Sequence, residues 1–357
     1  MSAAPWADAP PLPTELQVEI TSACNLRCSM CLVSYRPPVN KLAGAMTPEL
    51  FGRILAEVPT LRRLTMQGLG EPLLSPYLLD QVRLARSHGL TVGFNSNATL
   101  LSRARADELV AAGLDWLHVS VDGATAGTYE GIRHGASFDT VIANLAGLVA
   151  AKRAAGSATP WIRVVFVAMR RNVAELPDLV DLLARTGVDE LRVQNLSHDF
   201  SDTDPSGRYA GIRDFAAAEG LWATPQPDDQ GSVAADPSSV AAGQGSVAAA
   251  EAAFAAATRR AARHGLTLRL PRTGPAAPEP GRPGCTWPWD SAYVTSQGVV
   301  QPCCMVMGDD RVALGRLDEQ SFPDIWYSPG YREFRRRLAA DDPPEVCRGC
   351  ALYQRTF

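Results

Sequence analysis

Two spacings of apolar positions alternate along the first two hundred residues. Short runs rich in β-branched and large apolar side chains, at residues 16–21, 63–66, 90–95, 116–121, 162–169 and 190–193, predict strands. Stretches of helical period lie between them. One opens at Thr47, an N-cap followed by Pro48 at the first helical position, and others are predicted over residues 76–87, 102–112, 138–153 and 173–186. Gly89, Gly113 and Gly187 each stand where a helix should stop before the next strand. Six βα repeats predict an α/β fold with a parallel sheet, either open and doubly wound or a partial (β/α) barrel.

Polar residues collect where these strands end. Cys24, Cys28 and Cys31 follow the first, Gln67-Gly68-Leu69-Gly70-Glu71-Pro72 the second, and Asn95-Ser96-Asn97 the third. Ser120-Val121-Asp122-Gly123 follows the fourth, Arg170-Arg171-Asn172 the fifth, and Gln194-Asn195 the sixth. Carboxyl ends of parallel strands are where α/β folds place their ligand sites, so this rim predicts an active site. The C-x3-C-x2-C run supplies three thiolates, one fewer than a closed tetrahedral site or a fully ligated cubane takes. Two chemistries fit it: a [4Fe–4S] cluster with one iron left open for a small molecule, or a zinc knuckle that borrows a distant fourth ligand. His198, Asp199, Arg170 and Arg171 fall near the same mouth, where polar loop residues are usually solvated.

Beyond residue 197 the pattern is less regular. Residues 226–245 are a low-complexity Ala/Ser/Gly/Pro/Asp stretch, expected to be mobile, with Gln230-Gly-Ser-Val-Ala-Ala235 recurring at residues 244–249. A helix is predicted at residues 247–264 and a strand at 266–270. A hairpin then turns through Ser296-Gln297-Gly298, and an arginine-rich helix at residues 329–340 leads to Cys347-Arg-Gly-Cys350. Cys285, Cys303, Cys347 and Cys350 make four ligands, enough for a closed zinc or a second [4Fe–4S] cluster. Cys304 is left over, either a hydrogen-atom donor to a substrate radical or a small buried hydrophobe. The expected organisation is an N-terminal extension (residues 1–15), a core (16–200), an irregular connecting region (201–284) and a cysteine-rich unit (285–357).

Composition narrows the function. The 357 residues are 46% hydrophobic and 20% charged with net charge −4, so no basic excess points to nucleic acid or a membrane surface. Residues 1–10 carry neither a cationic start nor an apolar core, so no secretory signal is expected there, and no apolar run approaches the roughly 18 residues that span a bilayer. Eight cysteines in such a chain predict metal ligands in a cytoplasmic protein rather than disulfides.

Taken together, the motifs resemble those of the radical S-adenosylmethionine (SAM) superfamily. The resemblance runs over residues 16–193 through Cys24-x3-Cys28-x2-Cys31, the G-x-E-P-like Gly68-Leu-Gly-Glu-Pro72 and Ser120-Val-Asp-Gly123. Cys285-x12-Gly298-x4-Cys303 with Cys347-x2-Cys350 is similar to the superfamily's SPASM/twitch tail. The resemblance implies a partial (β/α)6 TIM-like barrel with a small C-terminal hairpin-plus-helix iron–sulfur domain. Cys24, Cys28 and Cys31 would hold the catalytic cluster, and SAM would chelate its open iron and yield a 5′-deoxyadenosyl radical that abstracts hydrogen. Gly68, Gly70, Glu71, Asn97, Ser120, Asp122 and Arg133 match SAM-binding positions of relatives. The T-N-G element reads Ser96-Asn97-Ala98 here, and Met30 takes the usually aromatic place before the last cluster cysteine. Cys285, Cys303, Cys347 and Cys350 would hold one auxiliary [4Fe–4S] cluster, since no cysteine follows Cys350. A flavodoxin or ferredoxin would donate electrons. The expected substrate is a small molecule of the sugar or aminocyclitol type, undergoing dehydrogenation or a related redox change. The alternative is a maturase acting on a ribosomal peptide or protein, and a third class is a zinc-bound interaction protein.

Overall fold

The computed structural model describes residues 9–36, 44–204, 206–221, 237–272, 281–306 and 310–356. Its strands are β1 (Glu15–Val18), β2 (Arg63–Thr65), β3 (Thr91–Ser96), β4 (Trp116–Ser120), β5 (Trp161–Val167), β6 (Glu190–Gln194), β7 (Thr267–Arg269), β8 (Ser291–Val294), β9 (Val299–Gln301) and β10 (Gly315–Arg316). They form one ten-stranded sheet in the order β10-β9-β8-β1-β2-β3-β4-β5-β6-β7. From β8 to β7 every neighbour is parallel, and only β9 and β10 run antiparallel. The sheet is the partial barrel expected, and it is longer than the six predicted strands. β7 adds an edge beyond β6, and β8 places the tail hairpin directly on β1, with Glu15 opposite Ser291 and Val18 opposite Val294.

Helices cover one face: α1 (Pro48–Glu57), α2 (Leu78–Ser87), α3 (Arg103–Ala111), α4 (Ala126–Ile132), α5 (Phe138–Ala154), α6 (Leu176–Thr186) and α8 (Pro237–His264), while α7 (Ala210–Glu219) packs against the short helix Leu32–Tyr35 that follows the cysteine loop. Local chemistry fixes their starts: the hydroxyls of Thr47, Ser102 and Ser137 accept from the amides of Leu50, Arg105 and Thr140. Gly187 ends α6 in the left-handed region at φ +85, where a side chain would strain the turn. Val92, Phe94, Leu117, Val119, Ile162, Val164, Phe166, Leu191 and Val193 point from the strands into the helix layer and form its core. Alternate residues face the other way, and most of those that line the interior are polar: Gln17, Asn95, His118, Arg163 and Arg192, with Val165 among them. A parallel sheet buried on both faces normally reads as continuous apolar sequence, so this alternation marks a hydrated interior.

Two expectations need correcting. α8 begins at Pro237 rather than at residue 247, so residues 237–245 of the low-complexity stretch are helical; residues 226–236 lie outside the described residues. α4 and α7 were not expected. α4 is short and carries Gly127 and Gly131, which weaken its helical signal, and α7 lies in the stretch read as irregular.

The tail shares the main core: Phe322, Ile325, Trp326 and Tyr331 pack in the same cluster as Leu16 and Phe51. Arg335, fully buried on the helix Pro329–Ala339, donates to the carbonyls of Pro288 (2.7 Å) and Trp326 (2.8 Å). Its guanidinium lies 4.1 Å from the Trp326 ring centre and 4.0 Å from that of Tyr331. Trp326 in turn donates from Nε1 to the carbonyls of Pro10 and Pro11. Among the described residues no helix is long and apolar enough to cross a membrane. Arg335→Met should cost about 3 kcal/mol in urea unfolding by leaving buried carbonyls without their charged donor. The neighbouring Arg336→Ala, which loses only an exposed pair with Glu333, should cost no more than about 0.5 kcal/mol.

Candidate active site

The three cysteines sit on the loop that follows β1. Cys28 lies in a short antiparallel pairing, Arg27 opposite His134 and Cys28 opposite Arg133, which ties the cysteine loop to the end of α4. Arg133 is buried. It makes a two-pronged ion pair with Asp122 (Nε 2.7 Å, Nη2 2.6 Å) and reaches Cys28 Sγ with Nη1 at 3.8 Å. Asp122 is fixed in turn by the amide of Val167 at 2.7 Å. Burial raises all three thiols above their ordinary range, Cys31 to about 12, and Arg133 offsets part of the rise at Cys28. Such a pocket disfavours a bare thiolate and favours one bound to a cation.

The Gly68–Pro72 loop lies against this one. A Cβ on Gly68 would collide with the Glu19 side chain, and one on Gly70 with the carbonyl oxygens of Thr21 and Ala23. These two glycines are therefore required by close approach of the backbones. Glu71 turns inward, accepting from Ser96 Oγ (2.7 Å), the Asn97 amide (2.7 Å) and the Leu73 amide (3.1 Å). Asn97 donates to Asn25 Oδ1 at 3.0 Å and comes within 4.0 Å of Cys24 Sγ. Ala98, where glycine would serve, holds the left-handed region at φ +57. Ser120 lies at the end of β4, two residues before Asp122.

The predicted rim residues are thus brought together. The carboxylates of Glu71 and Asp122 are held by protein groups, Glu71 by Ser96, Asn97 and Leu73 and Asp122 by Arg133 and Val167. Arg133 likewise stands against Cys28 and Asp122. Sequence reasoning missed Glu19, whose buried carboxylate accepts from the Leu69 amide (2.8 Å), Tyr293 Oη (2.8 Å) and Ser296 Oγ (3.1 Å). Its only signal was a charged residue in phase with Gln17 along an apolar run. His198, expected to be solvated, is buried: Nε2 lies 2.7 Å from the Val346 carbonyl and Nδ1 accepts from the Phe200 amide at 2.8 Å. It pairs the chain after β6 with Cys350 of the C-x2-C turn. Arg170 and Arg171 bind α7, through the Gly220 carbonyl and Glu219.

Five tail thiols gather in one place. Cys303 feels Cys285, Cys304, Cys347 and Cys350 electrostatically, and burial raises each of these thiols. Among the described residues no three ligand side chains close around a single-ion position. Between the two cysteine groups lies a cavity of about 380 Å3. Gln67 and Gly68 line it at the motif loop, His118, Arg163 and Arg192 from the sheet, and Trp287, Tyr293, Cys304 and Met305 from the tail.

Gly70→Ala should force the two loops apart and lower iron loading on reconstitution by at least about half, read by iron analysis. Gly127→Ala, on an exposed helical face with open space around it, should instead raise stability by about 0.5 kcal/mol.

Comparison with known proteins agrees with this geometry. Residues 18–183 match the radical SAM superfamily, and residues 285–351 match the SPASM iron–sulfur cluster-binding domain. The tungsten-containing aldehyde ferredoxin oxidoreductase cofactor-modifying protein of Pyrococcus furiosus is 34% identical over 185 residues, 51% of this chain and 51% of that protein. Mycofactocin maturase MftC of Mycobacterium tuberculosis is 32% identical over 203 residues, 56% of this chain and 47% of that one. These matches span about half the length of the curated relatives. Streptococcus suis SuiB bound to its precursor peptide SuiA superposes with a TM-score of 0.63 at 14% identity, covering 96% of this chain and 71% of SuiB, a likeness of fold. The chain belongs to the radical SAM superfamily and carries a C-terminal SPASM iron–sulfur domain.

Proposed function

We propose that this chain is a radical SAM maturase that modifies a peptide. The observation that carries this reading is the similarity to mycofactocin maturase MftC, at 32% identity over 203 residues. The fold shared with SuiB, a protein seen bound to its precursor peptide, is compatible with it. The sugar or aminocyclitol substrate expected from the sequence rested on a tail with ligands for a single auxiliary cluster and on the few residues before the first strand, and the similarity to MftC supports the peptide reading better.

In this reading Cys24, Cys28 and Cys31 hold the catalytic [4Fe–4S] cluster, and Cys285, Cys303, Cys347 and Cys350 hold the auxiliary one. When bound, the first cluster and SAM supply a 5′-deoxyadenosyl radical that abstracts hydrogen from an unactivated carbon. The protein's own part is placement. Gly68 and Gly70 let the motif loop approach the cysteine loop, and Glu71 locks that loop to the end of β3. Arg133 sets positive charge beside Cys28, which favours its thiolate. The sheet interior receives the substrate, and the tail roofs it through Trp287, Tyr293 and Met305, excluding bulk water from reactive species. Cys304 lines this roof, facing the cavity rather than standing apart from it.

Anaerobic reconstitution should give about eight irons per chain, as two [4Fe–4S] clusters require, and 5′-deoxyadenosine on reduction with SAM. Replacing Cys24, Cys28 and Cys31 by alanine should abolish 5′-deoxyadenosine and leave about four irons. Persistent SAM cleavage in that variant would overturn the assignment. Yields of 5′-deoxyadenosine with peptides, sugars and aminocyclitols then test the substrate: stimulation by peptides supports the reading, and stimulation by sugars or aminocyclitols alone sinks it.

A further inference from the structure

The cavity's electrostatics say more than its position. No aspartate or glutamate is among its described lining residues, whereas Arg163, Arg192 and His118 all are. Arg163 is oriented from both sides: Nη2 donates to Oε2 of buried Glu190 at 3.3 Å, and Nη1 donates to His118 Nε2 at 3.1 Å. An arginine can only donate, so His118 Nε2 is an acceptor and the ring is neutral. Burial and the three guanidinium groups of Arg163, Arg63 and Arg192 hold His118 far down, at about 3. It therefore adds no proton and no charge.

Arg192, on the neighbouring strand, lies close enough to Arg163 and Arg269 for their charges to oppose its own, with Glu190 as the opposing acid. Glu190 is already shared, by Arg163 and by Arg269 at 3.4 Å. Arg163 and Arg192 thus both line the cavity, so an anion within it would be drawn to two guanidinium groups. A third feature lies on the adjoining strands: Asn95 Oδ1 is buried on the cavity lining without a hydrogen-bond donor. A ligand that fills the cavity is therefore asked for an anionic group and for an N–H.

We propose that this cavity is a carboxylate subsite, in which Arg192 and Arg163 grip an acidic group of the substrate peptide while Asn95 accepts one of its N–H donors. The inference rests on the peptide reading above and specifies it: the segment that enters the barrel is acidic. Guanidinium suits the task because its planar fork bonds both oxygens of a carboxylate at once. Gln194 and Gln17, on the same lining, supply neutral donors that tolerate the charge.

The test is calorimetric titration of the reconstituted holoenzyme with SAM bound. Four ligands serve as probes: N-acetyl-Ala-Glu-Ala-amide, its Gln counterpart, glutarate and inorganic phosphate. The glutamyl peptide should bind about tenfold more tightly than the glutaminyl one, as a charge-assisted pair allows. Arg192→Gln should erase that difference with iron content and thermal unfolding unchanged, and Arg192→Lys should keep part of it. Equal affinity for the two peptides, or discrimination that survives Arg192→Gln, overturns the subsite while the peptide reading stands. Glutarate or phosphate binding that needs Arg192, with neither peptide bound, keeps the anion site and overturns the peptide reading. No binding by any of the four ligands overturns the subsite. Should Arg192→Gln lose iron and fail to fold, Gln194→Glu replaces it, since a carboxylate beside Arg192 should weaken the glutamyl peptide selectively. Unchanged preference in that variant overturns the proposal.

Discussion

The carboxylate of Glu19 receives hydrogen bonds from both ends of the chain. Leu69, in the glycine-rich loop, donates from one side, and Tyr293 and Ser296, on the tail hairpin, donate from the other. A buried carboxylate is tolerated only where donors satisfy it, so the motif loop and the tail must both be in place for this residue to be stable. The parallel pairing of β8 with β1 runs alongside and makes the same connection through the backbone. The two cysteine groups are thereby set on opposite sides of one cavity and held there by a single sheet. A tail attached only by a linker would leave that separation to chance.

The rim follows a consistent division of labour. The acidic side chains that match SAM-binding positions in the sequence, Glu71 and Asp122, hold other residues: one fastens the end of β3 and the other holds Arg133 against Cys28. The close contacts are left to backbone, at Gly68 and Gly70, where a side chain would collide. Ala98 keeps a side chain in a left-handed turn of the rim, within the loop that carries Asn97. The polar charge of the site is instead found deeper, on the inward faces of β4, β5 and β6, where His118, Arg163 and Arg192 meet.

Much of this was legible in the sequence because the signals were local. Period-two and helical-period runs, the N-caps at Thr47 and Ser102 and the stop at Gly187 depend on neighbouring residues, and so do the spacings of Cys24, Cys28 and Cys31 and of Cys347 and Cys350. These gave the α/β class, the parallel strands and the rim on which the functional residues stand. The tertiary structure alone decided what depends on partners far along the chain: that β8 joins β1, that Arg335 is the buried arginine of its helix, that Glu19 bridges two motifs, that His198 is structural, and that Arg163 and Arg192 share one cavity. A residue's type records what it can bond, whereas burial and partner are set by strand order and register, which bring together positions 277 residues apart, as Glu19 and Ser296 are.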